Sequence, residues 1–280
     1  AYNDAIDFFK KLIEISPYCE ITWYQLGLFY NKIKDYKQAI IALDYAILID
    51  ETFTAGYHEK ARSLSQLGKN KEAINTYLIT FAFENATGYT YLKIGLCYKE
   101  LSSYKQAIRY FTKACHEDPQ LSEAWMEIGL CYEALGSIEE GLHYIKKAVN
   151  LSPDDMEYLY IQTKTYYKTG FYNEAELGYN KLIKSGCESP IIWMEYAHLM
   201  QKSNETKKAI RILKKGLEKN KKHSELLVRL GAYLFLDNQE ELAHKYLRIA
   251  NTINPDIKTD IYKHIPDLKN NDNFNKLLKL

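Results

Sequence analysis

The residue types that most often perform chemistry are scattered through this sequence without the spacings that chemistry needs. The seven histidines form no HxxxH or HExxH pair, which removes the usual pattern of a zinc site. The acidic pairs, Glu139 with Glu140 and Asp154 with Asp155, stand where helices are expected to begin, and the helix dipole stabilises negative charge there. No phosphate-binding glycine loop and no GxSxG motif is present. We therefore expect no catalysis, no cofactor and no metal.

The five cysteines are an odd number and include no CxxC pair: Cys19, Cys97, Cys115, Cys131 and Cys187. Reduced thiols fit this pattern better than a disulfide framework, which small oxidised domains build from pairs. The first residues, AYNDAIDFFKKL, contain neither the basic segment nor the apolar segment of a secretory signal peptide. We therefore expect a cytoplasmic protein, with Cys97 and Cys131 as inert thiols in its core.

Charge and hydropathy argue against two classes of partner. The 280 residues include 37 Lys and Arg against 36 Asp and Glu, a formal charge of +1. Such a balance gives no general attraction to the phosphates of nucleic acid or to anionic lipid. No apolar run approaches the roughly 18 residues that span a bilayer. We therefore expect neither nucleic acid nor membrane as a partner.

The elements that must carry any site follow a repeat, which the three tryptophans reveal. Trp23, Trp125 and Trp193 are separated by 102 and 68 residues, three and two times 34. Starting at Glu20, this period divides residues 20–257 into seven consecutive units without an insertion. Position 4 of each unit is large and apolar, whereas positions 8 and 20 are mostly small. A period held over seven units predicts a repeat architecture.

Each unit is predicted to form two helices. Large residues at positions 4, 7 and 11 make one apolar stripe, and those at positions 20, 24 and 27 make a second. Between the stripes, position 15 holds residues that readily adopt the left-handed conformation that ends a helix: Gly68, Gly136, Gly170, Asn204 and Asn238. Proline at position 32 ends the second helix in several units. Neither helix buries its stripe alone, so neighbouring units must stack into a continuous core.

These units resemble the tetratricopeptide repeat. Its pattern is W-x-x-L-G-x-x-Y followed by Ala, an aromatic residue, Ala and Pro, and two segments follow it nearly throughout: 91–119, YLKIGLCYKELSSYKQAIRYFTKACHEDP, and 125–153, WMEIGLCYEALGSIEEGLHYIKKAVNLSP. The resemblance implies an all-α fold, a right-handed α-solenoid of helix–turn–helix repeats. It divides the chain into the second helix of a partial N-terminal repeat (1–19), seven consecutive 34-residue repeats (20–257) and C-terminal capping helices (258–280).

The C-terminal segment is expected to cover the open end of repeat seven. Phe274, Leu277 and Leu278 form an apolar stripe on a short helix that Asp272 or Asn273 caps. Terminal caps of this kind shield the last exposed core of a solenoid. The phrase IPDLKNNDNFNKLL is similar to the ends of some Bacteroidota tetratricopeptide-repeat proteins.

Two residues bear on how well the repeats pack. Trp125, at position 4, is expected to be buried between the two helices of its repeat. Gly216 stands at position 27, where alanine is usual in this family, and is expected to weaken the local packing.

In this family the first helices line a concave face, and residues at positions 2, 5, 6, 9, 12 and 13 point into it. The resemblance therefore implies that a partner protein or peptide binds there. The candidate groove residues are Tyr24, Leu28, His58, Arg62, Lys93, Leu96, Met126, Glu127, Leu130, Tyr160, Lys164, Met194 and His198. Apolar groups rimmed by charge mark partner sites, and four such groups are expected on this wet face: Leu96, Met126, Leu130 and Tyr160. Alternatively, neighbouring repeats half bury positions 9 and 12.

The same positions argue against one subtype of the family. Repeats that hold the carboxylates of chaperone C-termini use Lys at position 5 and Asn at 9, then Asn at 6, then Lys at 2 and Arg at 6. No three successive repeats supply that set. We therefore expect a non-catalytic protein–protein interaction scaffold that binds a peptide or helix in its groove, and not a chaperone-tail receptor. The alternative is a sensor or regulatory repeat segment of a longer chain with an output domain upstream.

Overall fold

The computed structural model describes residues 2–254, 268–269 and 271–277, and these ranges contain helices and no β-strand. The helices are α1 Tyr2–Ile15, α2 Glu20–Lys32, α3 Tyr36–Ile49, α4 Thr54–Gln66, α5 Asn70–Ile79, α6 Gly88–Glu100, α7 Tyr104–Glu117, α8 Ser122–Ala134, α9 Ile138–Leu151, α10 Met156–Lys168, α11 Tyr172–Lys184, α12 Pro190–Lys202, α13 Thr206–Lys219, α14 Ser224–Leu236, α15 Glu240–Ile253 and α16 Asp272–Leu277. One turn of 3-10 helix, Thr80–Ala82, follows α5.

The chain forms two compact units, residues 1–153 and 154–280. Within the first unit each of the helices α1 to α9 packs against the next along the chain, and α10 to α15 do the same within the second. The even-numbered helices α2 to α14 are the first helices of the predicted repeats, and the odd-numbered helices α3 to α15 are the second. The predicted fold class, an all-α solenoid of helix–turn–helix repeats, is confirmed.

Each helix pair of a repeat is joined at position 15 by a residue in the left-handed region. The five predicted glycine and asparagine residues have φ angles between 59° and 86°. Lys34, with φ 63°, and Ser102, with φ 54°, occupy the same position in repeats that lack Gly or Asn there. The predicted helix break is confirmed at this position, and the repeat imposes its geometry even on residues that adopt it at a cost.

We expect Ser102→Gly to raise the free energy of unfolding by about 1 kcal/mol, because a Cβ atom in the left-handed region costs about 1–2 kcal/mol and glycine loses part of that gain to its freer unfolded chain. The matched reverse change is Gly136→Ser, since an added Cβ at Gly136 meets no atom within 4 Å and feels only the backbone strain. It should destabilise by a similar amount. Urea unfolding of both variants measures the pair, and a destabilised Ser102→Gly protein would contradict the prediction.

Trp125 is partly exposed, which corrects the expectation that it is buried between the helices of its repeat. Its Nε1 donates to Pro119 O at 3.0 Å. The ring stacks on Tyr144 of α9 with 6.1 Å between centroids, and Lys147 Nζ lies 3.4 Å from the indole centroid. The hydrogen bond holds the indole at the entrance of α8, so its ring lies along α9 instead of inserting into the core.

The C-terminal helix α16 packs on the core of the second unit through Phe274. The Phe274 side chain is 0% exposed, and its ring meets the Phe235 ring of α14 edge to face with 5.1 Å between centroids. Leu268 is buried in the same cluster. The side chains of Leu277 and Leu278 and the whole of residues 255–267, on which the rest of the predicted cap falls, lie outside the described residues.

The N-cap of α16 is Asn271, one residue earlier than the first of the two predicted caps. Asn271 Oδ1 accepts a hydrogen bond from the backbone N–H of Phe274 at 3.0 Å. Asp272 is already the first residue of the helix and Asn273 the second, so neither can cap it. The short amide of Asn271 reaches the third N–H of the helix, which is the usual N-cap geometry.

Candidate functional site

In the first unit, the predicted groove residues of α4 already have partners within the chain. His58 Nε2 lies 2.6 Å from Glu84 Oε1, in the segment that follows the 3-10 turn. Arg62 pairs with Glu59 at 2.9 Å, and Glu59 also accepts a hydrogen bond from Asn31 of α2 at 3.2 Å. The Asn31–Glu59 hydrogen bond joins the neighbouring first helices α2 and α4, whereas the His58–Glu84 contact ties α4 to the segment after the 3-10 turn. Together these contacts leave little of this chemistry free for a partner.

The charged candidates of α6 and α8, Lys93 and Glu127, differ in whether they contact a neighbouring first helix. Lys99 Nζ of α6 lies 2.5 Å from the Glu127 carboxylate of α8. Lys93 Nζ lies 4.6 Å from the centroid of the exposed Tyr89 ring. Glu127 is therefore tied to a neighbouring first helix, whereas Lys93 and Tyr89 form an open cation–π pair at the surface.

The apolar candidates of the first unit are more covered than expected. Tyr24, Leu28, Leu96 and Leu130 are partly buried. The three leucines stand at position 9, and their burial agrees with the alternative expectation that neighbouring repeats half bury this position. Met126 is 3% exposed, so it is not the exposed apolar group that the sequence predicts, and Met194, a predicted groove residue of the second unit, is 4% exposed. The unbranched, flexible thioether side chain folds into gaps between helices and so leaves the solvent-facing side.

In the second unit, the first-helix side forms a cavity of about 500 Å³ between α10, α11, α12 and α14. Its lining residues are Lys164, Tyr167, Lys168, Tyr179, Ile191, Met194, Glu195, His198, Glu225 and Arg229. The cavity brings together three predicted site residues, Lys164, Met194 and His198. Tyr160, a fourth, adjoins it through a hydrogen bond to Glu195. The ring of His198 lies 6.1 Å from that of Tyr167.

Glu195 is the fixed negative charge of this cavity. Its two carboxylate oxygens accept hydrogen bonds from Tyr160 at 3.1 Å and from Tyr179 at 3.3 Å, and Lys164 Nζ lies 3.7 Å away. Burial raises the pKa of Tyr160 to about 12, and it also raises the pKa of Tyr179. The negative charge of Glu195 is the second cause in both cases. Both tyrosines therefore remain protonated donors at neutral pH, and they hold the carboxylate in place.

Arg229 is the most deeply buried charged residue of the cavity, and it is one of the lining residues absent from the predicted groove set. It lies on α14 with 9% of its surface exposed, and its buried Nε has no hydrogen-bond partner. Burial lowers the pKa of the guanidinium, although the nearby Glu225 and Glu195 charges oppose that shift. The signal that could have found it is its place at position 6 of repeat seven, one of the groove positions of the family.

The cysteines are free thiols, and those predicted for the core lie there. Burial raises the pKa of Cys97, raises that of Cys131 to about 11 and raises that of Cys115 to about 12. Such thiols stay protonated at neutral pH and react slowly. At the start of α2, by contrast, hydrogen bonds from Thr22 lower the pKa of Cys19.

The described part of the chain also lacks two further features. It contains no cluster of three or more His, Cys, Asp and Glu side chains placed to hold a metal ion. No helix within it has both the length and the apolar character to cross a membrane.

Known proteins similar to this chain share its repeat. It is 24% identical over 234 residues to anaphase-promoting complex subunit CDC16 of Saccharomyces cerevisiae, a match that covers 82% of this chain and 24% of that protein. It is 27% identical over 117 residues to anaphase-promoting complex subunit 3 of Schizosaccharomyces pombe, covering 41% of this chain and 18% of that protein. The chain therefore spans about a quarter or less of the length of these relatives.

A solved structure shows the same fold. The C-terminal part of a repeat-containing protein from Cytophaga hutchinsonii superposes with a TM-score of 0.74 at 18% identity, over 88% of this chain and 99% of that one. Residues 21–53, 89–121 and 122–155 match the family model of the tetratricopeptide repeat. These three segments are therefore tetratricopeptide repeats, and the 34-residue period and the helix pairs that follow it continue the same pattern through residues 20–253.

Proposed function

We propose that this chain is a non-catalytic scaffold that binds a segment of another protein along its first helices. The observation that carries the proposal is the cavity of the second unit, which opens among the first helices α10, α12 and α14. Both yeast relatives are named as subunits of a multiprotein complex, which supports a role in protein assembly.

The chemistry of the cavity suits a protein segment. Ile191, Met194 and Tyr167 give it an apolar wall, while Lys164, Glu195 and Arg229 place charges of both signs beside that wall. Protein interfaces have an apolar centre with a polar margin, and a few anchors in such a centre carry most of the binding energy. A cavity of about 500 Å³ accommodates one or two anchoring side chains.

The same geometry argues against a catalytic role for the best-placed carboxylate. Glu195 accepts two hydrogen bonds from tyrosines and lies near a lysine, and these donors hold the carboxylate in place. A general base must accept a proton from the substrate, and both oxygens of this carboxylate already accept hydrogen bonds from the chain. Glu195 therefore fits a positioning role in a binding site.

The experiment that tests the function is selection of binding peptides from a phage-displayed random library on the full chain. Affinities of the selected peptides are then measured for Lys164→Ala, in the cavity, and for Lys105→Ala, on the second helix α7 and exposed. We expect Lys164→Ala to weaken binding by about tenfold, about 1.4 kcal/mol, and Lys105→Ala to leave it unchanged. Loss of binding with Lys105→Ala and none with Lys164→Ala would place the partner on the second helices and overturn the proposal.

A further inference from the structure

The described residues compensate the buried charge of Arg229 only in part. Its side chain is buried, its Nε has no hydrogen-bond acceptor, and no carboxylate of the described residues forms an ion pair with it. A buried charge without a partner is strongly destabilising, which is why buried cations are normally paired. Because the guanidinium lines an open cavity, an anion that enters the cavity can supply the missing partner.

The other charges of the cavity restrict what that anion can be. Glu195 accepts hydrogen bonds from Tyr160 and Tyr179, and Glu225 adds a second negative charge to the cavity. The cations of the cavity are Lys164, Lys168 and Arg229, so its lining carries a net charge of +1. A single carboxylate balances that charge, whereas a ligand with two or more negative charges would exceed it and would be repelled by the two glutamates.

The apolar walls of the cavity determine which ligand residues can flank the carboxylate. Ile191 and Met194 of α12 and Tyr167 of α10 are apolar surfaces within the same cavity. A carboxylate carried by a peptide would therefore enter with apolar neighbours against these walls. Arginine is suited to this role, because its planar fork pairs with both oxygens of one carboxylate.

We propose that the cavity between α10, α12 and α14 binds an internal aspartate or glutamate of the partner segment, flanked by apolar residues, through the guanidinium of Arg229. The inference rests on the proposed function and names the anchor that the partner must carry. We commit to a side-chain carboxylate within the segment because the apolar walls lie on two helices, Tyr167 on α10 and Ile191 with Met194 on α12, and only an internal residue has neighbours on both sides to contact both walls.

The test uses short peptides as defined probes on the full chain. The first is N-acetyl-Leu-Glu-Leu-amide, the second its isosteric twin N-acetyl-Leu-Gln-Leu-amide, and the third N-acetyl-Leu-Gln-Leu with a free C-terminal carboxylate. The readout is the NMR signal of the Arg229 Nε–H, which a bound carboxylate should shift strongly. We expect the glutamate peptide to bind about tenfold more tightly than both others, and the Arg229 signal to shift with it alone.

The variant Arg229→Met separates a binding role from a structural one. Methionine keeps the apolar length of the side chain and removes the charge, so the variant should lose the preference for glutamate over glutamine. Since a buried unpaired charge is also removed, the melting temperature should rise by about 2 °C or more. The matched control is Arg211→Met, at an exposed arginine of α13, which should change neither property.

Three results would overturn the inference. They are equal binding of the glutamate and glutamine peptides, preference for the free C-terminal carboxylate, and a lower melting temperature in Arg229→Met, which would mark the arginine as a structural residue. Each leaves the proposed function standing if peptides selected from the library still lose affinity in Lys164→Ala. The two proposals therefore fail by different measurements.

Discussion

Trp193→Ala is expected to lower the free energy of unfolding by about 3–5 kcal/mol, the cost of deleting a buried aromatic side chain and leaving a cavity. Trp193 is 6% exposed and belongs to the main core cluster of the second unit. Urea unfolding measures the loss. Because coupling in repeat proteins is mainly between neighbours, amide exchange should rise most in α11, α12 and α13.

The matched control is Trp125→Ala at the same position of repeat four. Trp125 is partly exposed and packs against the edge of its core cluster, with a hydrogen bond to Pro119 O, a stack on Tyr144 and a cation–π contact with Lys147. Those contacts predict a smaller cost of about 1–2 kcal/mol. Equal losses in the two variants would show that burial does not distinguish the two tryptophans.

The difference between the two tryptophans arises from the residue that each faces across its helix pair. A Cβ atom added to Gly216 would lie 2.9 Å from Cβ and Cγ of Trp193, so the indole occupies the space that glycine leaves. Repeat four has Ala148 at the equivalent position. Gly216 therefore makes room for Trp193, and the expectation that it weakens the packing is wrong.

The features that the sequence predicted well are those that local chemistry determines. Helix stripes, the break at position 15 and the proline after the second helix depend on residues close together in the chain, and the repeats show each of these signals several times. Ser102 itself gives no such signal, but the Gly and Asn residues at position 15 of other repeats predict its left-handed backbone.

The features that the sequence predicted poorly depend on contacts between distant residues. Met126 and Met194 stand at groove positions, but whether a flexible side chain points to solvent or into the core depends on the gap beside it. The same holds for Arg229, whose significance comes from being buried without a partner beside Glu195. The residue types found at one position of the repeat do not show whether a given side chain is buried or has a partner.

Phe274→Ala is expected to destabilise the second unit by about 3–5 kcal/mol and to promote self-association. The Phe274 ring is fully buried against Phe235 of α14 and near Leu268, so truncation removes the main described contact between α16 and the core. Repeat seven then exposes apolar surface that its neighbours would otherwise cover. Urea unfolding measures the first effect, and light scattering after size exclusion measures the second.

Asp272→Ala is the control on the same helix, because Asp272 is exposed and contributes only a small interaction with the helix dipole. A second variant, truncated after Asn254, removes the whole segment and should self-associate more strongly than Phe274→Ala. If both variants stay monomeric with the melting temperature of the parent chain, the C-terminal segment does not cover repeat seven. A monomeric but destabilised Phe274→Ala protein would instead show that Phe274 stabilises α14 without shielding the end of the stack.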